Sequence, residues 1–501
     1  MLAAKKIIIE LFGAVICGVV IGLTMAITAN AFVEAAVFAN EYRTSLSWME
    51  VTFRNNTYSL SSIVSLLLAA LLITWLRKWL NITRWQGPAE SIYAAHSENA
   101  TIETKKGLGS TLGAFIVISG GGSVGQYGPL VHFGSTIGLF IKKYFSLRIS
   151  PDIFIGCGVA AAISAGFNAP LAGVIFAHEA ILRHFSLRAI APIFIASISA
   201  SAFDEYFFGA TQNMFDLSQN IPPLNDILPV FIMLGPLFAI IAVIFMYSLR
   251  TASIFAEKSG HYKPLLPFAA ALICGSVGVI FPEILGLGVE AINDFIEGNI
   301  SFSKAGLLLI AKISMTALCI GFGLFGGVFS PALFIGVAAG SLAAAALSVF
   351  GYAGAEQVII ISGMAAVGAS VIGAPISSVL IVLELTGSYD YAVTAMAAVI
   401  ISNLVTYRVF GLSYFDRQLL DRGVDMRLGR ESIALSQRPV TSCIDSTYVQ
   451  LRPNTTGDEA YRLMKEAGMV ESYLVGDDGK YSGKLDIFGA ISASGNSVLD
   501  F

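Results

Sequence analysis

The stretch GGGSVGQYGPLVHFG, residues 120–134, sets glycines, a proline and a tyrosine between two apolar segments of the chain. Glycine allows a backbone to come close to another group, and Pro129 suits the first position of a helix. The stretch therefore predicts a helix that begins within an apolar layer, with its backbone close to a neighbour or a ligand. Tyr127, two residues before the proline, is the unusual residue in it.

The composition indicates a membrane protein. Of 501 residues, 55% are hydrophobic and 13% charged, and the mean hydropathy is +0.74. A soluble protein of this size carries more charge, and 49 glycines suit closely packed membrane helices. The scattered cysteines have no disulfide or metal spacing, and the sequence offers no nucleophile motif or phosphate loop. We therefore expect no enzyme activity, metal, cofactor or nucleic-acid partner.

The ends of the first two apolar segments predict how the chain enters the membrane. Lys5 and Lys6 precede a long apolar run that is too long for a signal peptide, and Arg77 and Lys78 close a second run over residues 60–76. Basic residues favour the cytoplasmic side. We expect a multi-pass protein of the plasma (cell inner) membrane with both termini in the cytoplasm.

An internal repeat organises the rest of the chain. Residues 158–179 align with 363–384 without gaps, a shift of 205, and 125–134 align with 327–336, a shift of 202. Several of the apolar segments beyond residue 107 are too short to cross roughly 30 Å of hydrocarbon. Two homologous halves with helices broken inside the membrane are typical of transport proteins that bind their ligand between the halves.

The repeated helix starts favour an anion as the ligand. "GQYGP" (125–129) and "GVFSP" (327–331) each end in a proline that can start a helix, where the free backbone N–H groups carry partial positive charge. Neither stretch contains a carboxylate or a basic side chain, so binding would be weak enough for release. The alternative is that these glycines only permit close helix crossing.

Together these motifs resemble the CLC chloride channels and proton-coupled chloride exchangers. The resemblance runs from about residue 60 to 420 and rests on "GQYGPLVHFGSTIG", "GFNAPLAGVIFAHEA", "GGVFSPALFIG", "GMAAVGASVIGAPISSVLIVLELTGSYDY" and "LSYFDRQLL". It implies an all-α membrane protein of two inverted halves, assembled as a homodimer, with one anion pathway in each subunit. It also implies that chloride lies at helix N-termini, near one serine and one tyrosine side chain.

The resemblance carries the anion-binding roles onto particular residues, some of which depart from the family pattern. The gating glutamate of the family's "GREGP" is Tyr127 here, which predicts a gate with an aromatic ring. "WQGPAE" places Gln86 at the anion-contacting serine, and "SYFDRQL" places Phe415 at the central tyrosine, with Tyr414 one residue early. The predicted anion-binding set is Gln86, Gln126, Tyr127, Gly128, Val328, Phe329, Tyr414 and Phe415.

The residues of the family's proton route are also replaced. In exchangers the inner relay glutamate follows a first glutamate, whereas Ala180 follows Glu179 here. The phenol of Tyr127, with an ordinary pKa near 10, stays neutral at physiological pH. The sequence thus predicts passive chloride conduction. Alternatives are proton-coupled exchange through a non-standard acid such as Glu90 or Glu179, and a carrier for another small anion.

Two matching acidic residues of the halves call for a separate interpretation. Glu179 and Glu384 correspond in the repeat and lie at the ends of apolar runs. Although an ionisable group within a membrane is a functional candidate by default, their position favours a structural or helix-end role.

The polar C-terminal part predicts a separate cytoplasmic domain. We divide the chain into a membrane domain, 1–425, and an α/β domain, 426–501, with a helix over 456–467, a strand at "SYLVGD" and a turn at "DDGK". This domain resembles one cystathionine-β-synthase-type (CBS) module, either whole or a truncated remnant. Such modules bind nucleotides as pairs, so nucleotide binding by a single copy is the minority interpretation.

Overall fold

Prolines and glycines divide the apolar part of the chain into helices of unequal length. The computed structural model describes residues 2–46, 49–53, 56–97, 101–144, 149–209, 215, 217, 221–351, 354–429, 432, 433, 435, 441 and 448–498. The chain forms two units, Met1–Ile433 and Ala434–Phe501.

Within its described residues the first unit is mostly helical and contains one hairpin, β1 (Glu50–Phe53) with β2 (Asn56–Ser59). Its helices follow one another along the chain as α1 Leu2–Thr44, α2 Ser61–Trp79, α3 Pro88–His96, α4 Thr104–Ser119, α5 Tyr127–Lys142, α6 Pro151–Phe167, α7 Pro170–Phe176, α8 Leu187–Phe208, α9 Leu224–Lys258, α10 Leu266–Ile280, α11 Val289–Ile296, α12 Phe302–Gly321, α13 Phe329–Ser348, α14 Glu356–Ile372, α15 Pro375–Thr386, α16 Tyr389–Val409 and α17 Tyr414–Leu420.

The lengths and compositions of these helices confirm a polytopic membrane protein. Within the described residues, eight helices are long and apolar enough to cross a membrane, including the stretches Phe12–Thr44 and Ser61–Trp79 near the N-terminus. Others, such as α7 and α15, are apolar but shorter. The prediction of broken helices among full spans is therefore confirmed.

Equivalent turns break the chain in the two halves. Asn168 ends α6 with φ 50°, and Gly373 ends α14 with φ 77°. A left-handed residue ends a helix because its backbone can no longer continue the right-handed turn. Pro170 and Pro375 then occupy the first positions of α7 and α15, where the missing N–H costs nothing.

Glycine pairs bring the helices of each half into contact. A Cβ added to Gly134 would lie 2.1 Å from the carbonyl oxygen of Gly158, and one added to Gly336 would lie 2.4 Å from that of Gly363. The α5–α6 crossing of the first half therefore matches the α13–α14 crossing of the second. Small residues at such crossings allow van der Waals packing where no hydrophobic force pulls helices together.

The second unit is a small α/β domain. Its sheet has the order β3 (Val449–Leu451), β4 (Glu471–Val475), β5 (Tyr481–Asp486), with β3 parallel and β5 antiparallel to β4. The helices Gly457–Ala467 and Ile487–Ser492 complete it, and Leu451, Met464, Leu474 and Leu485 lie in its core. The predicted helix and central strand are present.

The α5–α6 crossing generates a stability prediction. In Gly158→Ala the new methyl group would lie 1.8 Å from the carbonyl oxygen of Gly134, so the helices must separate. We expect a loss of about 1–3 kcal/mol, measured as a lower unfolding temperature in detergent.

The matched control is Gly306→Ala. Gly306 is also helical, in α12, but an added Cβ meets nothing within 4 Å. Because alanine favours a helix over glycine by up to about 1 kcal/mol, this variant should be as stable as the parent or more so. Equal destabilisation of both variants would contradict the close crossing.

Candidate functional site

The two repeated loops meet through their backbones. Gly125 N–H donates to the carbonyl of Gly327 at 2.7 Å, and Gly327 N–H donates to the carbonyl of Gly125 at 2.6 Å. A Cβ on Gly128 would lie 3.0 Å from the Cα of Gly327. Glycine is therefore needed because these backbones touch, and the antiparallel pair joins the two halves at the place where the sequence predicts the ligand.

The starts of α5 and α13 flank this backbone pair. α5 begins at Tyr127 and α13 at Phe329, directly after Gln126 and Val328. Helix geometry leaves the first N–H groups of each helix without an acceptor inside the helix, and their dipoles favour negative charge. The predicted residues Gln126, Tyr127, Gly128, Val328 and Phe329 are thus brought together at two adjoining helix N-termini.

Two polar side-chain atoms in this region have no hydrogen-bond partner among the described residues. They are the Oε1 of Gln126 and the Oγ of Ser330, and both side chains are buried. Since the two ends of a glutamine amide are assigned rather than observed, either end of Gln126 can face the region. The hydroxyl of Ser330 can donate to an anion. The sequence prediction omitted Ser330, although this residue directly precedes Pro331.

The ring of Tyr127 is held in an aromatic cluster with Phe167 and Phe329. It stacks on Phe167 with ring centroids 3.6 Å apart, and its edge contact with Phe329 has a centroid separation of 5.9 Å. Phe167 and Phe329 are 5.4 Å apart. Ring contacts of this kind form between uncharged side chains. Packing against Phe167 and Phe329 therefore holds the ring of Tyr127 in place.

Phe167 was missed by the sequence analysis. It belongs to "GFNAP", which carried part of the family resemblance, but it is the last residue of α6 and lies far from Tyr127 in the chain. A buried aromatic at a helix end usually indicates packing alone. Only the tertiary structure shows that it covers the face of the predicted gate.

Gln86 lies two residues before α3 and lines a cavity. Its backbone N–H donates to the hydroxyl of Ser110 at 2.9 Å, and its Oε1 has no partner among the described residues. The next amide, that of Gly87, donates to the carboxylate of Glu90 at 2.7 Å. The two backbone amides are therefore already bonded within the protein. A role of Gln86 in anion binding would use its side chain.

Tyr414 and Phe415 begin α17 and are both buried. The hydroxyl of Ser413 caps this helix by accepting from the N–H of Asp416, and the helix packs on α3 and α14. The two rings lie with centroids 6.0 Å apart. α17 thus reaches the same helix that Gln86 precedes. Which of the two residues takes the central position stays a prediction.

The carboxylates of Glu179 and Glu384 each cap the start of a helix in the opposite half. The carboxylate of Glu179 accepts from the backbone N–H of Ile376 at 3.0 Å and of Ser377 at 2.8 Å, at the start of α15. That of Glu384 accepts from the backbone N–H groups of Leu171 and Ala172, both at 2.8 Å, at the start of α7. These bonds give both carboxylates the helix-end role that the sequence favoured.

The remaining acid considered for proton movement, Glu90, is also engaged. Its second carboxylate oxygen pairs with Arg422. Ala180 is buried in the π-helical turn Ala177–Leu182 that continues α7. In the part of the chain that the structure describes, no group of three or more His, Cys, Asp or Glu side chains is placed to hold a metal ion.

This geometry is that of a polytopic membrane protein with two inverted halves, in which a candidate site of backbone donors lies between the halves. The sequence profile of the family described as "Voltage gated chloride channel" matches residues 69–407. The chain belongs to this family.

The relatives in the family carry two kinds of names. The chain is 32% identical over 314 residues to an "H(+)/Cl(-) exchange transporter ClcA" of Yersinia pestis, which covers 60% of this chain and 64% of the relative. It is 26% identical over 367 residues to a "Putative chloride channel protein ClcB-like" of Ralstonia nicotianae, covering 70% and 83%. The chain thus spans just under two thirds of the length of the Yersinia relative.

A solved structure has the same fold. The crystal structure of a slow cyanobacterial Cl−/H+ antiporter superposes with a TM-score of 0.72 at 21% identity, covering 85% of this chain and 99% of that one. The CLC-like architecture expected from the sequence is therefore confirmed.

The reciprocal caps generate a second prediction. In Glu179→Gln the start of α15 loses a charged acceptor. A charge at a helix N-terminus contributes about 0.3–2 kcal/mol, so we expect a loss of stability in that range, measured by thermal unfolding in detergent. The control is Glu205→Gln, the same chemical change at an exposed position near the end of α8. Equal stability of the two variants would argue against the capping role.

Proposed function

We propose that this protein moves small anions, chloride first, across a cell membrane through the site between its two halves. The observation that carries the proposal is the pairing of Gly125 with Gly327, which places two helix N-termini side by side. Backbone donors attract an anion without the strong trap that a lysine or arginine side chain would make.

The names of the relatives favour proton-coupled exchange as the mode of transport. The Yersinia relative is named as an H(+)/Cl(-) exchange transporter. In this chain such coupling requires a non-standard acid, since Tyr127 and Ala180 stand at the family's two glutamate positions. The candidates are Glu90 and Glu179, and either one must leave its described hydrogen bonds to carry a proton.

The residues of the site support passive conduction as the second candidate. Tyr127 has a neutral side chain at physiological pH, so it cannot imitate a chloride ion as a carboxylate does. Glu90 is paired with Arg422, and Glu179 caps α15. On this basis chloride would pass without a fixed proton count, gated by the ring of Tyr127. A carrier for another small anion is the third candidate, since the backbone donors alone do not select chloride.

One measurement separates the first two modes. The protein is reconstituted into liposomes with a chloride gradient, and the movement of chloride and of protons is recorded together. Coupled exchange predicts that the chloride gradient drives protons uphill and that the reversal potential shifts with the pH gradient. Passive conduction predicts a reversal potential that follows chloride alone. Absence of chloride movement under both gradients would contradict the proposed function itself.

The aromatic cluster predicts that Tyr127 obstructs the pathway. Replacing Tyr127 by alanine removes the ring that stacks on Phe167, so we expect a several-fold faster chloride flux, measured as the initial rate of chloride efflux from liposomes.

Two further variants show which part of Tyr127 matters. Tyr127→Phe keeps the ring and should keep the slow rate if the ring is the obstruction. Tyr127→Glu introduces the carboxylate of the family pattern and should make the flux depend on pH between about 3 and 6, around the ordinary glutamate pKa. An unchanged rate in Tyr127→Ala would contradict the gate.

The assembly and cellular setting are part of the proposal. We propose a homodimer in the plasma (cell inner) membrane with both termini in the cytoplasm, as the family resemblance and the basic residues at the ends of the first spans suggest. The βαββα order of the C-terminal unit is compatible with a single CBS-type module. Binding of a nucleotide there is a minor possibility, because such modules work in pairs.

A further inference from the structure

A basic cavity adjoins the predicted anion site at Gln86. It has a volume of about 360 Å³, and the residues that line it include Arg84, Gln86, Lys106 and Arg422. The carboxylates of Glu90 and Glu103 also line it. Because the cavity holds more than one kind of charge, its net effect on an anion depends on which charges are already paired.

Most of these charges neutralise each other. Arg422 pairs with Glu90, and the Nζ of Lys106 lies 2.7 Å from the Oε1 of Glu103. Among the described residues that line the cavity, Arg84 is the cation without an ion pair within 4 Å. Its guanidinium is repelled by Arg422 and attracted by Glu90, which is itself paired with Arg422, and by Glu257, which does not line the cavity. The unbalanced charge of the cavity wall is therefore positive.

The position of Arg84 along the chain indicates the cytoplasmic side. It follows α2, whose last turn carries Arg77 and Lys78, and basic residues at the end of a span favour the cytoplasm. Only Trp85 separates Arg84 from Gln86. An anion that enters this cavity from the cytoplasm thus meets the guanidinium of Arg84 beside the first residue of the predicted pathway.

We infer that Arg84 is an anion-capture residue: its unpaired guanidinium concentrates chloride, or another small inorganic anion, in the inner cavity before the anion reaches Gln86. This inference rests on the proposed function and adds a residue outside the anion-binding set. A free charge of this kind speeds capture through a long-range field and does not fix the ion in place. Its effect must therefore fade as salt screens the field.

The first test compares charge removal at two basic positions. Arg84→Gln should lower chloride flux about two- to fivefold at an ionic strength of roughly 0.02 M and subsaturating chloride, and the difference should largely vanish near 0.5 M, where the screening length is a few Å. Ionic strength is raised with a salt whose anion is too large to permeate. Lys78→Gln is the matched control, because Lys78 is exposed on the same side and does not line the cavity.

A second test restores the charge chemically. Arg84→Cys, in a Cys443→Ser background, is treated with membrane-impermeant methanethiosulfonates that attach either a trimethylammonium or a sulfonate group. The other four cysteines are buried in the structure. We expect flux in the order cationic adduct, unmodified thiol, anionic adduct when the reagent reaches the inner face. The same adducts on Lys78→Cys should change the rate little.

The outcomes distinguish this inference from the function on which it depends. Two outcomes would overturn the inference alone. In the first, the parent shows normal chloride flux and Arg84→Gln shows no salt-dependent loss. In the second, the adducts give the same order of flux at positions 84 and 78. A parent protein that moves no chloride would overturn the proposed function and the capture role together. A loss in Arg84→Gln that stays constant with ionic strength would indicate a structural role and would also overturn it.

Discussion

The approach of two backbones at Gly125 and Gly327 is the constraint on which the rest of the structure depends. Their reciprocal hydrogen bonds, 2.6 and 2.7 Å long, hold the starts of α5 and α13 against each other within an apolar layer. Unpaired backbone groups are costly in such a layer, so the halves must meet where each supplies the other's partner. The short helices α7 and α15 start elsewhere, where their first N–H groups bond to a carboxylate of the opposite half.

A site made of backbone donors tolerates changes in side chains. The N–H groups at the starts of α5 and α13 are present whether the residue is Phe329 or another, so the anion binding that we propose here depends on helix position. The identity of the side chain decides other properties. At Tyr127 it decides whether the obstruction carries a charge, and the stacking on Phe167 shows that apolar contact can hold a neutral ring in place.

The acidic residues of the first unit also supply hydrogen-bond partners within the apolar layer. Glu179 and Glu384 each accept two backbone N–H groups from the helix start of the opposite half. Glu90 accepts from Gly87 and pairs with Arg422. An ionised group inside an apolar layer is expensive unless it is bonded in this way. The same bonds that stabilise these carboxylates also restrict them as proton carriers, while the names of the relatives favour proton coupling.

The sequence by itself determined the membrane class, the two halves, and the helix-end role of Glu179. It predicted helix starts at Pro129 and Pro331, whereas the structure begins α5 and α13 two residues earlier, at Tyr127 and Phe329. These features were predictable because glycine, proline and apolar run length act on the local backbone, and because the repeat at shifts of 202 and 205 repeats those local signals. Three contacts were decided by the tertiary structure alone. The ring of Phe167 covers that of Tyr127, the backbone N–H of Gln86 donates to the hydroxyl of Ser110, and Arg84 has no ion pair within 4 Å among the described residues. Such pairings join residues that are distant in the chain or choose among several possible partners, and no local backbone preference encodes that choice.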